Sequence, residues 1–430
     1  MSDLGTGWTP TAAAARASVV AAAGLVAGAL TGSPVLVVLA APFLVPALMG
    51  LLGRPTSRPR ATATLGATRL HEGQGSASTL HVADDDGIEQ VTRVMARAAY
   101  VAMHPASGAV GVLWRDGGGA IDLGPRRWGR RAVGDEQVAM TSAWCGYRHG
   151  PVRLPAQQLT VWPQAAAYDS TAEAPQPDGL VGAHRSRRIG SGTEFAGIRP
   201  FAPGDRLRRI SWPVSLRTRE LQVVTTRAEQ DASVLVVVDA LRDIGVSGGV
   251  DGRASSLDLT VRAASALADH HVRRGDRVGM RVLGPGEARV PFGSGPRHLH
   301  RITGTLARVV PETGTLHDAP LELGVTGGCV VYVLSTMLHA PVVTACATLS
   351  ARGVPVVVID TLGERSSAEM GGATSPTGLA WRMRMIERAT LLQQLAALGC
   401  PIVTWRGAGT VDEVLRQLSR RGQVPQVRSR

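Results

Sequence analysis

The chain has 430 residues and a formal net charge of +12, long enough for two or three domains of roughly 100–200 residues each. All 46 basic residues are arginines, so chemistries that need a lysine are excluded: a P-loop phosphate cradle, a protein kinase and a pyridoxal Schiff base. Aromatic residues make up only 4%; without stacking platforms the charge points to lipid headgroups or a protein partner, and no nucleic-acid partner is expected.

Residues 17–52 carry no charge at all, and Thr31-Gly32-Ser33-Pro34 splits them into two apolar pieces. About 20 residues cross the hydrocarbon of a bilayer, so residues 1–55 read as an N-terminal tail and a transmembrane helical hairpin. Arg16 precedes the first span and Arg54, Arg58 and Arg60 follow the second. The positive-inside bias then puts both ends, and everything after Arg54, in the cytoplasm of a multi-pass cell-membrane protein. Two rivals are a cleaved signal peptide, which the length of the apolar run disfavours, and a buried soluble hairpin.

Residues 56–163 alternate in short stretches such as "TLHVAD", "AVGVLW" and "QQLTVW" between Gly, Pro and Asp turns, the pattern of a small antiparallel β-sandwich or barrel. A helix is suggested only around Ile88–Ala98. Residues 164–182 form an Ala- and Pro-containing linker, and residues 183–231 a signature segment whose arginine-rich part, 192–212, is loop-like. Between 232 and 424, "SVLVVVDA", "DRVGMRVLG", "CVVYVLS", "VPVVVID" and "PIVTW" are continuous apolar runs separated by helical patterns, as in the buried parallel strands of a doubly wound α/β domain. Ser255 with Asp258 and Thr410 with Glu413 form capping-box patterns. Ligands of such folds bind beyond the carboxyl ends of the strands, which points to Asp239, Ser335, Asp360 and Trp405. Residues 425–430 are a basic tail.

The four cysteines, Cys145, Cys329, Cys346 and Cys400, lack metal-ligand spacing, and three lie in or beside apolar runs, as buried small hydrophobes do. "GVSGG" at 245–249 matches a nucleophile elbow by letter only, because Ser247 does not sit between a strand and the helix it opens. "GAGT" after "PIVTW" lacks the third glycine of a dinucleotide fingerprint. His270 and His271 read as solvated or packing residues at a helix end. His298 and His300 fall on an amphipathic helix, and "GPRRWGRR" at 124–131 on a turn or a lipid-facing patch.

The stretch "GTEFAGIRPFAPGDRLRRISW" holds Gly197, Arg199, Phe201, Gly204, Asp205, Arg208, Ile210 and Trp212 in order, with Arg209 beside them. With the hairpin, the β-rich region and the α/β region, it resembles the "domain of unknown function 58" family of bacterial membrane proteins. The resemblance implies a von Willebrand factor type A-like α/β domain and association with a MoxR-type AAA+ ATPase and other membrane proteins. Pro213 stands where that family usually carries a basic residue. The segment reads either as a docking surface or as a clamp, in which Asp205 pairs an arginine while Phe201 and Trp212 pack inward onto the α/β domain. Type A domains bind a divalent metal through Asp-x-Ser-x-Ser and a later Thr; here Asp239 is kept, Leu241 and Asp243 replace the serines, and Thr315 matches the Thr. A degenerate Mg²⁺ site at Asp239, Asp243 and Thr315 is the weaker expectation, and no cofactor with Asp239 capping its loop or helix the stronger.

Together these features read as a membrane-anchored, non-enzymatic scaffold that binds a protein partner. The alternatives are a metal-assisted hydrolase around Asp239, Asp243 and Asp360, or a protein that binds anionic membrane lipid or nucleic acid.

Overall fold

The computed structural model describes residues 7–116, 119–164, 189–203, 205–227, 233–314, 321, 323–325, 329–363, 372, 375–407 and 410. Gly204, Thr315, most of the 164–182 linker, Glu413 and the 425–430 tail lie outside the described residues. The chain divides into two units, residues 1–162 with 249–251, and residues 163–248 with 252–430.

In the first unit the apolar run forms helices α1 (Ala12–Thr31) and α2 (Pro34–Leu52). Thr11 caps α1 by accepting a hydrogen bond from Ala14 N at 3.1 Å. Gly32 ends it at φ 63°, the left-handed conformation that glycine adopts freely, and Pro34 opens α2. The helices pack through small residues: a Cβ on Gly24 would meet Ala40 Cβ at 2.7 Å, and one on Gly28 would meet Val37 Cγ2 at 2.9 Å. Such glycines let two helix backbones approach closely. Their outer faces expose Val19, Val26, Leu30, Val38, Leu39 and Leu52, and both helices are long and apolar enough to cross a membrane.

Among the described residues, the rest of this unit is mainly β structure in three small sheets. One pairs Thr9–Pro10, Tyr147–Leu154, Glu136–Ser142, Ile88–Met95 and Ala109–Leu113 in that order, and a second pairs Arg60–Leu65, Ser76–Ala83, Ile121–Pro125 and Val101–His104. The third joins Arg69–His71, Gln157–Trp162 and Gly129–Val133, with the first two parallel, a departure from the all-antiparallel expectation. Ile88–Met95, expected as a helix, is a strand inside the first sheet. Two apolar clusters join the sheets, one around Leu80, Val91, Val138 and Met140, the other around Ile121, Leu123, Leu159 and Val161. Between them lies Arg93, 1% exposed. Its Nε and Nη2 donate to Glu136 Oε2 and Oε1 at 2.9 and 3.0 Å, and its remaining N–H groups to Ser78 O, Ser78 Oγ and Gly119 O. All five guanidinium donors are thereby satisfied.

Strands of the second unit are numbered from its start. β1 (Ile189–Pro200) and β2 (Gln222–Arg227) form an antiparallel ribbon, connected through a 3₁₀ turn at Leu207–Arg209 and the short helix α3 (Trp212–Thr218). The α/β region contains β3 (Ser233–Asp239), α4 (Ser256–Arg273), β4 (Arg277–Leu283), β5 (Arg289–Gly293), α5 (Pro296–Leu306), β6 (Cys329–Ser335), α6 (Ala340–Ala351), β7 (Val356–Asp360), α7 (Pro376–Ala397) and β8 (Ile402–Thr404). Among the described residues its sheet has the order β5-β4-β3-β6-β7-β8, parallel except for the edge strand β5. Leu235, Val237, Val331 and Val333 meet Val342, Cys346, Leu349 and Leu395 of α6 and α7. Successive strand residues point to opposite faces; the alternate set, Val234, Val236 and Val238, is also buried, so the strand sequences are apolar throughout.

Candidate functional site

Two places concentrate the residues singled out by sequence. The first is the β1–α3–β2 segment. Arg199 Nη1 and Nη2 donate to Asp205 Oδ2 and Oδ1 at 2.7 and 2.6 Å, and Ala202 N donates to Asp205 Oδ2 at 2.9 Å. The forked pair fixes the chain reversal after Pro200 and, with the Ala202 amide, holds the Asp205 carboxyl below its ordinary range. Phe201 N donates to Leu221 O, Ser211 N to Gln222 O and Gln222 N to Ser215 Oγ, each at 2.8 Å. Thr225 Oγ1 donates to Gly197 O at 2.9 Å, which ties the first motif residue to β2. The segment is therefore an ordered ribbon and helix, not the irregular loop its composition suggests. Asp205 pairs an arginine as expected of a clamp. Trp212, however, is 59% exposed, against its expected role as an inward anchor. The inward positions belong instead to Val223, Ser215 and Thr225, because Ser215 turns its face of α3 onto β2 through the Gln222 bond. Phe201 is half-buried, Arg209 half-buried, and Arg206 and Arg208 exposed.

The second place is the carboxyl end of the parallel sheet. Chain order reverses between β3 and β6, since β4 continues from β3 on one side and β6, β7 and β8 on the other. A crevice for ligands opens at such a point in α/β sheets. Here Asp239 ends β3 and Ser335 ends β6, and the two meet across it. Ser335 Oγ donates to Asp239 Oδ2 at 2.5 Å, Leu241 N donates to Asp239 Oδ1 at 3.0 Å, and Met337 N donates to Ser335 Oγ at 2.9 Å. Asp239 is 6% exposed and Ser335 fully buried; burial pushes the Asp239 carboxyl up, against the lowering effect of the two donors and of His339.

The neighbouring acids are likewise engaged. Leu257 N and Ser255 Oγ each donate to the Asp243 carboxylate at 3.0 Å, so Asp243, rather than Asp239, serves the N-terminus of α4. Ser255 and Asp258 complete the capping box there. Asp360, at the end of β7, accepts from Leu362 N at 3.0 Å and pairs with Arg388 Nη2 of α7 at 2.5 Å, while Arg388 Nε donates to Thr336 O at 2.7 Å. Thr361 and Thr260 share a hydroxyl hydrogen bond at 2.6 Å, and Trp405 N donates to Asp360 O at 2.9 Å.

These residues do not fit the expected Mg²⁺ set. The Leu241 side chain has no oxygen where a hydroxyl ligand is needed, the Asp243 oxygens serve a helix end, and Asp239 accepts from two donors. Among the described residues no group of three His, Cys, Asp or Glu is disposed to hold a metal ion. Sequence reasoning missed Ser335 as the partner of Asp239 and Arg388 as the partner of Asp360.

The remaining motifs resolve as packing. His271 Nδ1 lies 2.7 Å from Asp276 Oδ2 and its ring is 5.4 Å from that of Tyr332; His270 and His271 are 6% and 2% exposed, not solvated. His298 Nε2 lies 2.6 Å from Val278 O. Cys329, Cys346 and Cys400 are buried, and burial raises the Cys346 thiol to about 12. Ser247 lies in the loop between β3 and α4.

Comparison with known proteins follows the same segment. The uncharacterized protein Rv1480 of Mycobacterium tuberculosis and the uncharacterized protein Mb1516 of Mycobacterium bovis are each 30% identical to this chain over 190 residues, 43% of this chain and 53% of theirs. The chain thus spans about half the length of the curated relatives it matches. Residues 197–369, from the first glycine of the motif to beyond β7, match the family described as "Protein of unknown function DUF58".

Proposed function

We propose that this protein is a membrane-anchored, non-enzymatic binding module. In this reading α1 and α2 cross the bilayer as a hairpin, and both chain ends face the cytoplasm. The α/β region is a doubly wound, von Willebrand factor type A-like platform, and the β1–α3–β2 segment is its docking surface. The observation that carries the reading is the contrast between the two sites. The strand-end carboxylates are closed off by donors, whereas the segment exposes Leu207, Trp212 and Leu216 at 70%, 59% and 79% beside Arg206 and Arg208. Between Gly197 and Arg227 there are seven arginines and two acidic residues. Exposed aromatic and aliphatic side chains bordered by arginines are the composition of protein interface hot spots, and the charge selects an acidic partner.

The family likeness suggests a MoxR-type AAA+ ATPase as that partner. Pull-down of the full chain from native membranes should recover such an ATPase. Arg208→Glu combined with Trp212→Ala should reduce recovery at least tenfold, since loss of one hot-spot residue costs about 2 kcal/mol or more. Undiminished recovery by the double variant would rule out docking through this segment.

A further inference from the structure

The base of the apolar hairpin is fastened to the β structure of its own unit at several points. Thr11, which caps α1, donates from its backbone N to Gly146 O at 3.0 Å and from Oγ1 to Cys145 O at 2.5 Å. Gly146 also abuts the last turn of α2 so closely that a Cβ on it would meet Gly50 Cα at 2.8 Å and Gly50 O at 2.9 Å. Thr9 and Pro10 pair with Arg148 and Tyr147, and Trp8 is buried in the same core, its Nε1 donating to Ser57 O at 3.0 Å. The turn at Ala143–Gly146 is therefore held level with the first turn of α1 and the last turn of α2.

On that turn Trp144 is 55% exposed, at φ 57° and ψ 19°. Its backbone N–H is fixed by Glu89 Oε2 at 3.1 Å, so the left-handed conformation holds the indole outward. An aromatic side chain this large is on average mostly buried, so its exposure here is unusual. Arg148 is exposed four residues on, and Arg54, exposed after α2, has its guanidinium 5.8 Å from the Tyr147 ring. Arg16 is exposed on α1, five residues from the cap, about 7.5 Å along the axis at 1.5 Å per residue. Beyond it no charge occurs before Arg54. The layer from Thr11 to Arg16 and from Gly50 to Arg54 thus corresponds to the headgroup region, where tryptophan and snorkelling arginine side chains concentrate.

We propose that the Trp144 turn is a lipid-binding surface, with the indole seated among the headgroups and Arg16, Arg54 and Arg148 meeting anionic phospholipid around it. The proposal rests on the hairpin crossing the bilayer. It would make the β structure of this unit a foot resting on the membrane rather than a body tethered by two flexible connections.

The test uses the full chain in vesicles of mixed zwitterionic and anionic phospholipid. Cys145 is the exposed cysteine and the other three are buried, so a nitroxide on Cys145 reports the depth of this turn. A second nitroxide at Val26→Cys, on the exposed face of α1, reports the depth of the hairpin in the same vesicles. Headgroup depth at Cys145 with hydrocarbon depth at Val26→Cys is the expected result. Trp144→Phe should also remove a fluorescence component quenched by lipids brominated near the headgroup. Hydrocarbon depth at Val26→Cys with free water accessibility at Cys145 would overturn this inference alone. Water accessibility at both positions would overturn the hairpin reading and this inference with it.

Discussion

A carboxylate sealed from water must be surrounded by donors or give up its charge. Asp239 has two donors and still has its carboxyl pushed up by burial. A folded-state value above the unfolded one means that the folded protein holds the proton to higher pH. The contribution of this group to stability is complete below the unfolded carboxyl's pKa of about 3.9 and is lost as pH rises through the folded value. Asn cannot ionise and keeps an acceptor for Leu241 N and a donor toward Ser335 Oγ. Asp239→Asn should therefore raise the thermal midpoint at neutral pH, with the advantage shrinking as the solution is acidified; a lower midpoint than wild type at pH 7 would contradict this. Arg93 is the opposite case, a buried charge whose partners are complete. Arg93→Met leaves Glu136 buried and unpaired and should cost about 3–5 kcal/mol in urea unfolding. Adding Glu136→Leu should recover most of that loss, and no recovery would mean that the pair is not what joins these sheets.

At the scale of elements, the N-terminus of α4 is served twice, by its own capping box and by Asp243. Asp243→Ala should cost about 1 kcal/mol and show as faster amide exchange at Leu257; unchanged exchange there would remove Asp243 from the cap. The capping box was readable because Ser255 and Asp258 are three residues apart. Asp243 reaches the same helix end across a loop, and local pattern carries no sign of it. Ile88–Met95 was misread for two physical reasons. Its pairing with Glu136–Ser142 shifts register near Ile88, which buries Ile88 and Val91 three residues apart in a helix-like spacing. Its inward position 93 is an arginine, so the apolar alternation expected of a strand breaks where the ion pair sits. The motif segment differs: an ion pair of Asp205 is legible in the arginine-rich sequence, but its partner, Arg199, is fixed only by the fold, and the exposure of Trp212 depends on the Ser215–Gln222 bond, which composition does not reveal.

For the whole molecule, the strongest sequence signals belong to features that one element carries alone: the uncharged hairpin, the capping box of α4 and the continuous apolar strands. Closure of the crevice was not readable, because Asp239–Ser335 and Asp360–Arg388 join strands and helices distant in the chain. In the proposed function, this α/β platform and its arginine-bordered apolar segment are the binding part of a membrane-anchored protein. A photo-crosslinking residue placed at Trp212 or Leu216 of the full chain in native membranes tests that claim most directly. The expected result is an adduct with a single acidic protein, identified by mass as an AAA+ ATPase, that weakens with rising salt and is lost when Arg208→Glu is added. Adducts only with lipid, or a protein adduct indifferent to both salt and Arg208→Glu, would contradict docking through this segment.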